Sequence, residues 1–358
     1  MSEKVLVAMS GGVDSSVAAL ILKQNGYSLI GATMKLFSDE MIVDPEKIRE
    51  TKTCCSLDDT LDARSVANRL GFPYYVFNYK DDFEKEVIER FVCAYENGLT
   101  PNPCIECNSH LKFDRLLQRA LELGCDYIAT GHYARVEEAD GRYILKKASD
   151  ENKDQSYVLY LLTQDQLSKC RFPLGEMHKD EIRRIAAENG FVNADKPDSQ
   201  DICFIPDGDF VEFIKKYRNT DYPEGDFLDT EGNVIGRHQG AIKYTIGQRK
   251  GLGMGFGKPM YVCDKCMKDN TVTLSSNEEL FKKELHAGSL NWISIEDLKE
   301  PMKVTAKIRY SHKGASATVY PEGGTVRVVF DEAQRAITPG QAAVFYDGDI
   351  VVGGGTIL

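Results

Sequence analysis

The sequence predicts an α/β protein: a doubly wound parallel sheet, then a small linking module, then a C-terminal β-barrel. Three observations carry this expectation. Over the first 133 residues, short apolar runs alternate with amphipathic stretches of about twelve or more residues, which suits a parallel sheet covered on both faces. From about residue 207 the chain becomes rich in Gly, Asp and Lys, with short strand-like runs. From about 273, short strands follow one another with turn residues between them, as in a small barrel. The expected divisions are 1–206, 207–272 and 273–358.

The elements follow in order. "KVLVAM" (4–9) is apolar and breaks at "SGG", as a buried strand entering a turn does. "VDSSVAALILKQNGY" has a helix's apolar density and closes at Gly26. "SLIGATMKLF" (28–37) reads as a second buried strand, "LDDTLDARSVANRLG" as a helix and "FPYYVFNY" as a strand. "DDFEKEVIERFVCAYENG" is a long amphipathic helix ending at Gly98. The loop "TPNPCIECN" (100–108) then precedes the helix "HLKFDRLLQRALELG" and the strand "DYIATGHY". "ARVEEADGRYILKKA" reads as a hairpin turning at Asp140-Gly141, and "HKDEIRRIAAENGF" as a further helix. "VTLSS", "HAGSLNWI", "MKVTAKIRYS", "GASATVYPE", "TVRVVFDE" and "AAVFYDGDIVVGGGTI" are the expected barrel strands.

At 358 residues, with 42% hydrophobic and 28% charged side chains, the chain has the composition of a globular protein rather than a disordered one. No apolar run approaches the ~20 residues of a membrane span, and "MSEKVLVAMSGG" lacks the basic region and cleavage site of a signal peptide. A cytoplasmic location is therefore expected. There the ten cysteines serve as reduced thiols, metal ligands or catalytic groups. The net charge of −11 weighs against a nucleic-acid partner, but local fields decide such binding. "KYTIGQRKGLGMGFGK" (243–258) and "KVTAKIRYSHK" (303–313) each carry four positive residues and no acid, whereas "DYPEGDFLDTEG" (221–232) is acidic. On charge alone, solvated faces explain these windows equally well.

"SGGVDSS" (10–16) lies between the first strand and the first helix. Two glycines let the backbone curl and present its N–H groups, and the helix N-terminus adds partial positive charge, so the segment can cradle phosphate. It lacks the lysine of the G-x-x-x-x-G-K-[ST] loop. It resembles instead the pyrophosphate loop of the ATP pyrophosphatase superfamily, whose members cleave ATP between its α and β phosphates to adenylate a substrate oxygen. Asp14 is expected near a Mg²⁺–pyrophosphate, because hard oxygen ligands suit that ion.

Cys104 and Cys107, two residues apart behind Pro101 and Pro103, allow three chemistries: half a zinc site, a redox or nucleophilic pair, or two cluster ligands. "CDKC" (Cys263, Cys266) is the other pair at this spacing, too far along the chain for a zinc ribbon, and reads as incidental. Cys54 and Cys55 line a site or simply pack; Cys93, Cys125 and Cys170 read as packing residues.

"TPNPCIECN" followed by "KF", then "DYIATGHYAR", "KDQSYVLYLL", "SQDICFIP" and "TIGQRKGLG", in this order and over nearly the whole chain, resemble the bacterial tRNA-specific 2-thiouridylase family. The resemblance implies an adenine nucleotide α-hydrolase-like fold. It also implies an ATP-dependent enzyme that adenylates and then 2-thiolates the wobble uridine of tRNAs for Lys, Glu and Gln, releasing AMP and pyrophosphate. By the same resemblance Cys107 is the nucleophile and Cys203 carries the persulfide. Ala8, Met9, Ser10, Gly11, Gly12, Val13, Asp14, Ser15, Met34 and Gly131 contact ATP. Asn102, Pro103 and Cys104 meet the target base, and His132, Lys153, Asp154, Gln155, Arg309, Tyr310 and Gln341 contact tRNA. A cysteine desulfurase or sulfur relay protein is the implied donor.

One departure stands out: many members have aspartate where this chain has Cys104. That substitution leaves the residue's acid/base role in doubt. It also makes Cys104, Cys107 and Cys203 a potential set of three thiolates for a [4Fe–4S] cluster. The cluster and the persulfide–disulfide route stand as alternatives. Two other functions compete with thiolation. An amide-forming ligase of the same superfamily would need no cysteine pair, and a non-catalytic tRNA-binding or sulfur-carrier protein would leave "SGGVDSS" unexplained.

Overall fold

The computed structural model describes residues 2–37, 57–197, 202–255 and 257–358. Cys54 and Cys55 lie outside them, as do Ser199, Gln200 and Asp201 of "SQDICFIP". The chain forms two compact units. One comprises Met1–Ile88, Pro103–Asp209 and Asp349–Val351, the other Glu89–Asn102, Phe210–Gly348 and Val352–Leu358.

In the first unit, β1 (Lys4–Ala8), β2 (Ser28–Lys35), β3 (Tyr74–Asn78) and β4 (Tyr127–Ala129) are joined through helices. The hairpin of β5 (Ala134–Ala139) and β6 (Arg142–Lys147) follows, then the short β7 (Cys170–Arg171). Strands β3-β2-β1-β4-β7 form one sheet in that order, every pairing parallel. Strand β1 is wholly buried at Val5, Leu6 and Val7. Val5 and Val7 share one face by the period-two alternation of a strand. They pack in one core with Val17 and Ala18 of the helix Val13–Gln24, Val66 of the helix Leu57–Leu70 and Ile182 of the helix Lys179–Glu188. The first helix ends where expected: Gly26 takes a left-handed φ of 86°, and its N–H donates to the carbonyl of Lys23. The β5–β6 hairpin turns through Asp140 (φ 51°) and Gly141 (φ 76°), the paired left-handed residues of a two-residue turn.

The order of chain connections reverses at β1, which has β2 on one side and β4 on the other. In open parallel sheets, ligands bind outside the carboxyl ends of the strands at such a switch point. "SGGVDSS" leaves the end of β1, and "TGHY" leaves the end of β4.

The second unit holds a four-stranded sheet of β8 (Gly225–Leu228), β9 (Val234–His238), β10 (Tyr261–Cys266) and β11 (Thr271–Ser275), in the order β10-β11-β8-β9. Six further strands follow, β12 (Phe281–Trp292), β13 (Met302–Lys307), β14 (Ala315–Glu322), β15 (Thr325–Arg335), β16 (Ala342–Asp347) and β17 (Ile350–Ile357), the last within this unit from Val352 onward. These last six run β12-β15-β14-β13-β16-β17 and close into a barrel through β12–β17. Val319, Val328, Phe330 and Phe345 fill its interior. "VTLSS", expected to open the barrel, instead supplies β11, whose partners β10 and β8 saturate both its edges.

Residues 80–96 are helical, with a wider π-type stretch at Glu84–Ile88 before the final Glu89–Glu96. That final segment belongs to the second unit and is anchored there by Arg218, at the end of the helix Phe210–Arg218. The guanidinium donates to Glu89 at 2.7 and 2.9 Å and to Glu96 at 3.0 Å. The bonds from Arg218, with one from the Cys93 thiol, hold the Glu89 carboxyl at about 2 against an ordinary 4.5. A depressed carboxyl pKa stabilises the fold above the unfolded value, and the contribution disappears as pH falls through the folded value. The difference in urea midpoint between wild type and Arg218→Met is therefore expected to be constant at neutral pH and to close between about pH 4.5 and 2. A difference that persists unchanged to the acid end would mean that packing, not this ion pair, is what Arg218 supplies.

Candidate active site

The phosphate loop is shaped by two close approaches that only glycine permits. Gly11 has φ +75°, and a Cβ there would sit 2.3 Å from the carbonyl oxygen of Asp59. At the end of β4, a Cβ on Gly131 would sit 2.8 Å from the backbone nitrogen of Ser15. Gly12 is the N-cap of the helix Val13–Gln24, with extended backbone and no side chain to cap the first turn. Ser15 Oγ and Ser16 Oγ both donate back to the Gly12 carbonyl, at 3.1 and 3.0 Å. The loop thus turns its carbonyl inward onto its own hydroxyls, while the first-turn N–H groups lack a side-chain cap, as an anion cradle requires.

Its underside is pinned from a distant segment. Asn193 Nδ2 donates to the Gly11 carbonyl at 2.8 Å and to Ser16 Oγ at 3.0 Å. Lys196 Nζ lies 2.5 Å from Asp59 Oδ1, 2.8 Å from Asp62 Oδ2 and 3.4 Å from the Gly11 carbonyl. Asn193 Oδ1 is buried and has no hydrogen-bond partner. Asp14, in the first turn of the helix, accepts from Lys179 Nζ at 2.7 and 2.8 Å and from Tyr133 Oη at 2.7 Å. The sequence reading had named neither Lys179 nor Tyr133. Tyr133 was legible within "TGHY", but nothing local links position 179 to position 14.

Of the other positions expected to contact ATP, Met9 and Met34 are buried, and the Met9 carbonyl accepts from Thr33 Oγ1 at 2.5 Å. These features fit a nucleoside triphosphate: a cradle of backbone N–H groups, closed on two sides by close backbone approach, at the switch point of a parallel sheet.

The proline-rich loop runs into a helix start. Pro103 is the first residue of the helical turn Pro103–Glu106, where a missing N–H costs nothing. Helical residues continue as a π-type stretch, Cys107–Arg115, a geometry that is rare and concentrated at functional sites. Cys104 is exposed, Cys107 is buried and Cys203 is half-buried. Among the described residues, no group of three His, Cys, Asp or Glu side chains is placed to hold a metal ion. The structure thus lends no support to the iron–sulfur alternative, and no chemistry is derived through a cluster.

Burial pushes the Cys170 thiol far up, and also raises Cys125 and Cys263. Cys93 is raised chiefly by its hydrogen bond to Glu89.

His132 is buried, and its Nδ1 lies 2.6 Å from Thr130 Oγ1. Burial lowers its pKa well below the ordinary value, so the ring is neutral at physiological pH. Asp154 is also buried, accepting from the backbone of Ala148 and Ser156 and from Ser156 Oγ at 2.9 Å. Gln155 Oε1 accepts from the Tyr133 N–H at 3.0 Å and so helps place the tyrosine that holds Asp14. Lys153 is half-buried.

In the second unit, Gln341 Nε2 donates to the Thr100 carbonyl at 2.6 Å, and Asn102 ends the same segment. Tyr310 is exposed, and Arg309 Nη1 donates to the Arg335 carbonyl at 3.3 Å. Arg335 in turn donates to the Gly247 carbonyl at 3.4 Å, so the two basic windows, distant in sequence, meet at Arg335.

A phosphate loop at the switch point of a parallel sheet, with a thiol-bearing helix start in the same unit, defines an ATP-dependent enzyme of the pyrophosphate-loop class. The tRNA methyl transferase HUP domain family matches residues 3–207, the tRNA methyl transferase PRC-barrel domain 211–276, and the aminomethyltransferase beta-barrel domain 282–357. The tRNA-specific 2-thiouridylase MnmA of Clostridioides difficile is 54% identical over 360 residues, covering 100% of this chain and 98% of that protein. The protein of the same name from Acetivibrio thermocellus is 55% identical, covering 99% of each chain. That from Lachnoclostridium phytofermentans is 51% identical, also covering 99% of each. This chain belongs to the tRNA-specific 2-thiouridylase family. A solved 4-thiouridine synthetase–RNA complex with bound ATP aligns at 18% identity and a TM-score of 0.33, covering 60% of this chain and 50% of that one, too slight a likeness to carry an argument.

Gly11→Ala is expected to abolish ATP binding and to destabilise the protein by about 1–3 kcal/mol, because the left-handed backbone and the Asp59 carbonyl both oppose a Cβ. Gly12→Ala, whose Cβ would meet only Ser10 Oγ at 3.3 Å, is expected to be milder in thermal unfolding. Calorimetric titration with ATP and the melting temperatures of both variants check the ordering.

Proposed function

We propose that the chain uses ATP to 2-thiolate the wobble uridine of tRNA for Lys, Glu and Gln, releasing AMP and pyrophosphate. The observation that carries this reading is identity of 51–55% over essentially the full chain with tRNA-specific 2-thiouridylases. The phosphate loop at the β1–β4 switch point and the Cys107 helix start supply its chemistry.

Oxygen on carbon 2 of uridine is a poor leaving group. Substrate ATP supplies the adenylyl group that converts it into AMP. The loop from Ser10 to Ser16 receives the phosphates with its N–H groups, and Met34 and Gly131 border the nucleotide. Asp14, whose oxygens accept from Lys179 and Tyr133, is the carboxylate that would be shared with a Mg²⁺ accompanying the polyphosphate.

Cys203 receives sulfur from a donor such as a cysteine desulfurase or relay protein and carries it as a persulfide. Its terminal sulfur forms the new bond to carbon 2 while Cys107 attacks the Cys203 sulfur. The persulfide S–S bond then breaks, AMP departs with the former 2-oxygen, and a Cys107–Cys203 disulfide remains for a dithiol to reduce. The alternative order, in which Cys107 first releases sulfide that then attacks, has the same balance.

The tRNA is contacted by Asn102, Pro103 and Cys104 at the extruded base, and by Lys153, Arg309, Tyr310 and Gln341 elsewhere. The basic windows that meet at Arg335 suit backbone contact with RNA despite the overall charge of −11. Among the described residues no helix is long and apolar enough to cross a membrane; an enzyme acting on tRNA would meet its substrate in the cytoplasm.

Cys203→Ala is expected to eliminate 2-thiouridine, read by nucleoside mass spectrometry, while tRNA affinity stays within about twofold. Thiolation near the wild-type rate in that variant would remove Cys203 from the mechanism. Cys107→Ser is expected to stop product formation with the Cys203 persulfide still detectable by alkylation. An amide-forming ligase would not respond to either change.

A further inference from the structure

The phosphate loop has no lysine of its own, and the fold supplies one. We propose that Lys179 is the polyphosphate-binding cation of this site, a role that rests on the ATP-dependent reading above.

Lys179 Nζ lies 2.7 and 2.8 Å from the two oxygens of Asp14, the second residue of the helix that opens on the loop, although 165 residues separate the two in sequence. The lysine side chain is 8% exposed, whereas that of Asp14 is 30% exposed. Lys179 is also the first residue of the helix Lys179–Glu188, where the helix dipole disfavours a cation. A solvent-reachable aspartate does not require a buried lysine partner, and a helix start does not favour one. The backbone that carries the lysine is nonetheless anchored, and the ring of Tyr133 lies beside its ammonium. The Lys179 N–H donates to Asp150 Oδ2 at 3.1 Å, the His178 ring lies 3.9 Å from the same oxygen, and the Tyr133 ring lies 5.8 Å from Nζ. Tyr133 holds Asp14 from the other side at 2.7 Å.

A buried cation, locked by its own helix start and aimed at the first turn of an anion cradle, is what an incoming polyphosphate requires. It neutralises charge at the loop that in the G-x-x-x-x-G-K-[ST] motif is neutralised by an adjacent lysine. Lys179 contacts the β and γ phosphates that AMP lacks, so its contribution is selective between the two nucleotides.

The test is calorimetric affinity for ATP and for AMP in wild type, Lys179→Met, Asp14→Asn and the double variant, with thermal melting as the folding control. The expected result is a loss of about tenfold or more in ATP affinity on Lys179→Met, with AMP affinity changed less than about twofold. The same selective loss should appear when Lys179→Met is made in the Asp14→Asn background, where there is no aspartate charge to hold. Lys179→Arg, which keeps the charge, should recover part of the ATP affinity.

Equal loss of ATP and AMP would overturn the proposal and make Lys179 a structural residue. So would the absence of any further loss in the Asp14→Asn background, which would make it a positioning residue for Asp14. Should wild type bind ATP but fail to form AMP in the presence of tRNA, the thiolation reading falls while the affinity ratios still decide the role of Lys179.

Discussion

The catalytic unit depends on one backbone constraint, the left-handed turn at Gly11 pressed against the backbone of Asp59. Because no Cβ can stand there, the chain leaving β1 turns sharply enough to start a helix immediately and to leave its first N–H groups open. Everything around the loop serves to keep that turn in place. Asn193 and Lys196 hold the Gly11 carbonyl from beneath, and Lys196 ties the same point to Asp59 and Asp62. Burial alone would lower the Lys196 pKa, but the hydrogen bonds and charges of the two aspartates more than offset it, and the net shift is upward. The ammonium therefore stays charged across the physiological range.

Local signals were legible where one residue's backbone decides the structure. Gly26 closing the first helix and Asp140-Gly141 turning the hairpin are of this kind, because positive φ is a property of the residue itself. The phosphate loop was legible for the same reason: its glycines, serines and aspartate are contiguous. The strand "VTLSS" was misassigned because its pairing partners, at 225–228 and 261–266, lie elsewhere in the chain, and strand propensity carries no address. Lys179 was invisible for a related reason. In "HKDEIRR" it reads as one more charged residue on a helix, and only the folded chain brings it to Asp14.

The net charge gave a similarly incomplete account of partners. An excess of acid over base describes the whole surface, but Arg335 brings together two windows that each contain four cations and no acid. A charged partner responds to the local field over a distance of the order of 10 Å, not to the sum over the chain. The close fit of Gly247, whose Cβ would meet Ala336 at 2.7 Å, keeps the glycine-rich window beside Arg335.

The prolines of "TPNPCIECN" can now be given separate physical tasks. The segment from Leu99 to Asn102 belongs to the second unit, where the Thr100 N–H donates to the Pro339 carbonyl and its own carbonyl accepts from Gln341. With Pro103 the chain enters the first unit and becomes helical at once, since a proline's fixed φ is already helical. Pro101, between those two points, removes the freedom that a connection of so few residues would otherwise retain. The two thiols that follow then diverge in exposure within one turn: Cys104 faces solvent, and Cys107 is buried where the helix widens. A thiol held out of water is protected from adventitious oxidation, and an exposed one next to it is free to meet a substrate. That division suits the proposed transfer, in which Cys107 would wait for the Cys203 persulfide and Cys104 would meet the target base.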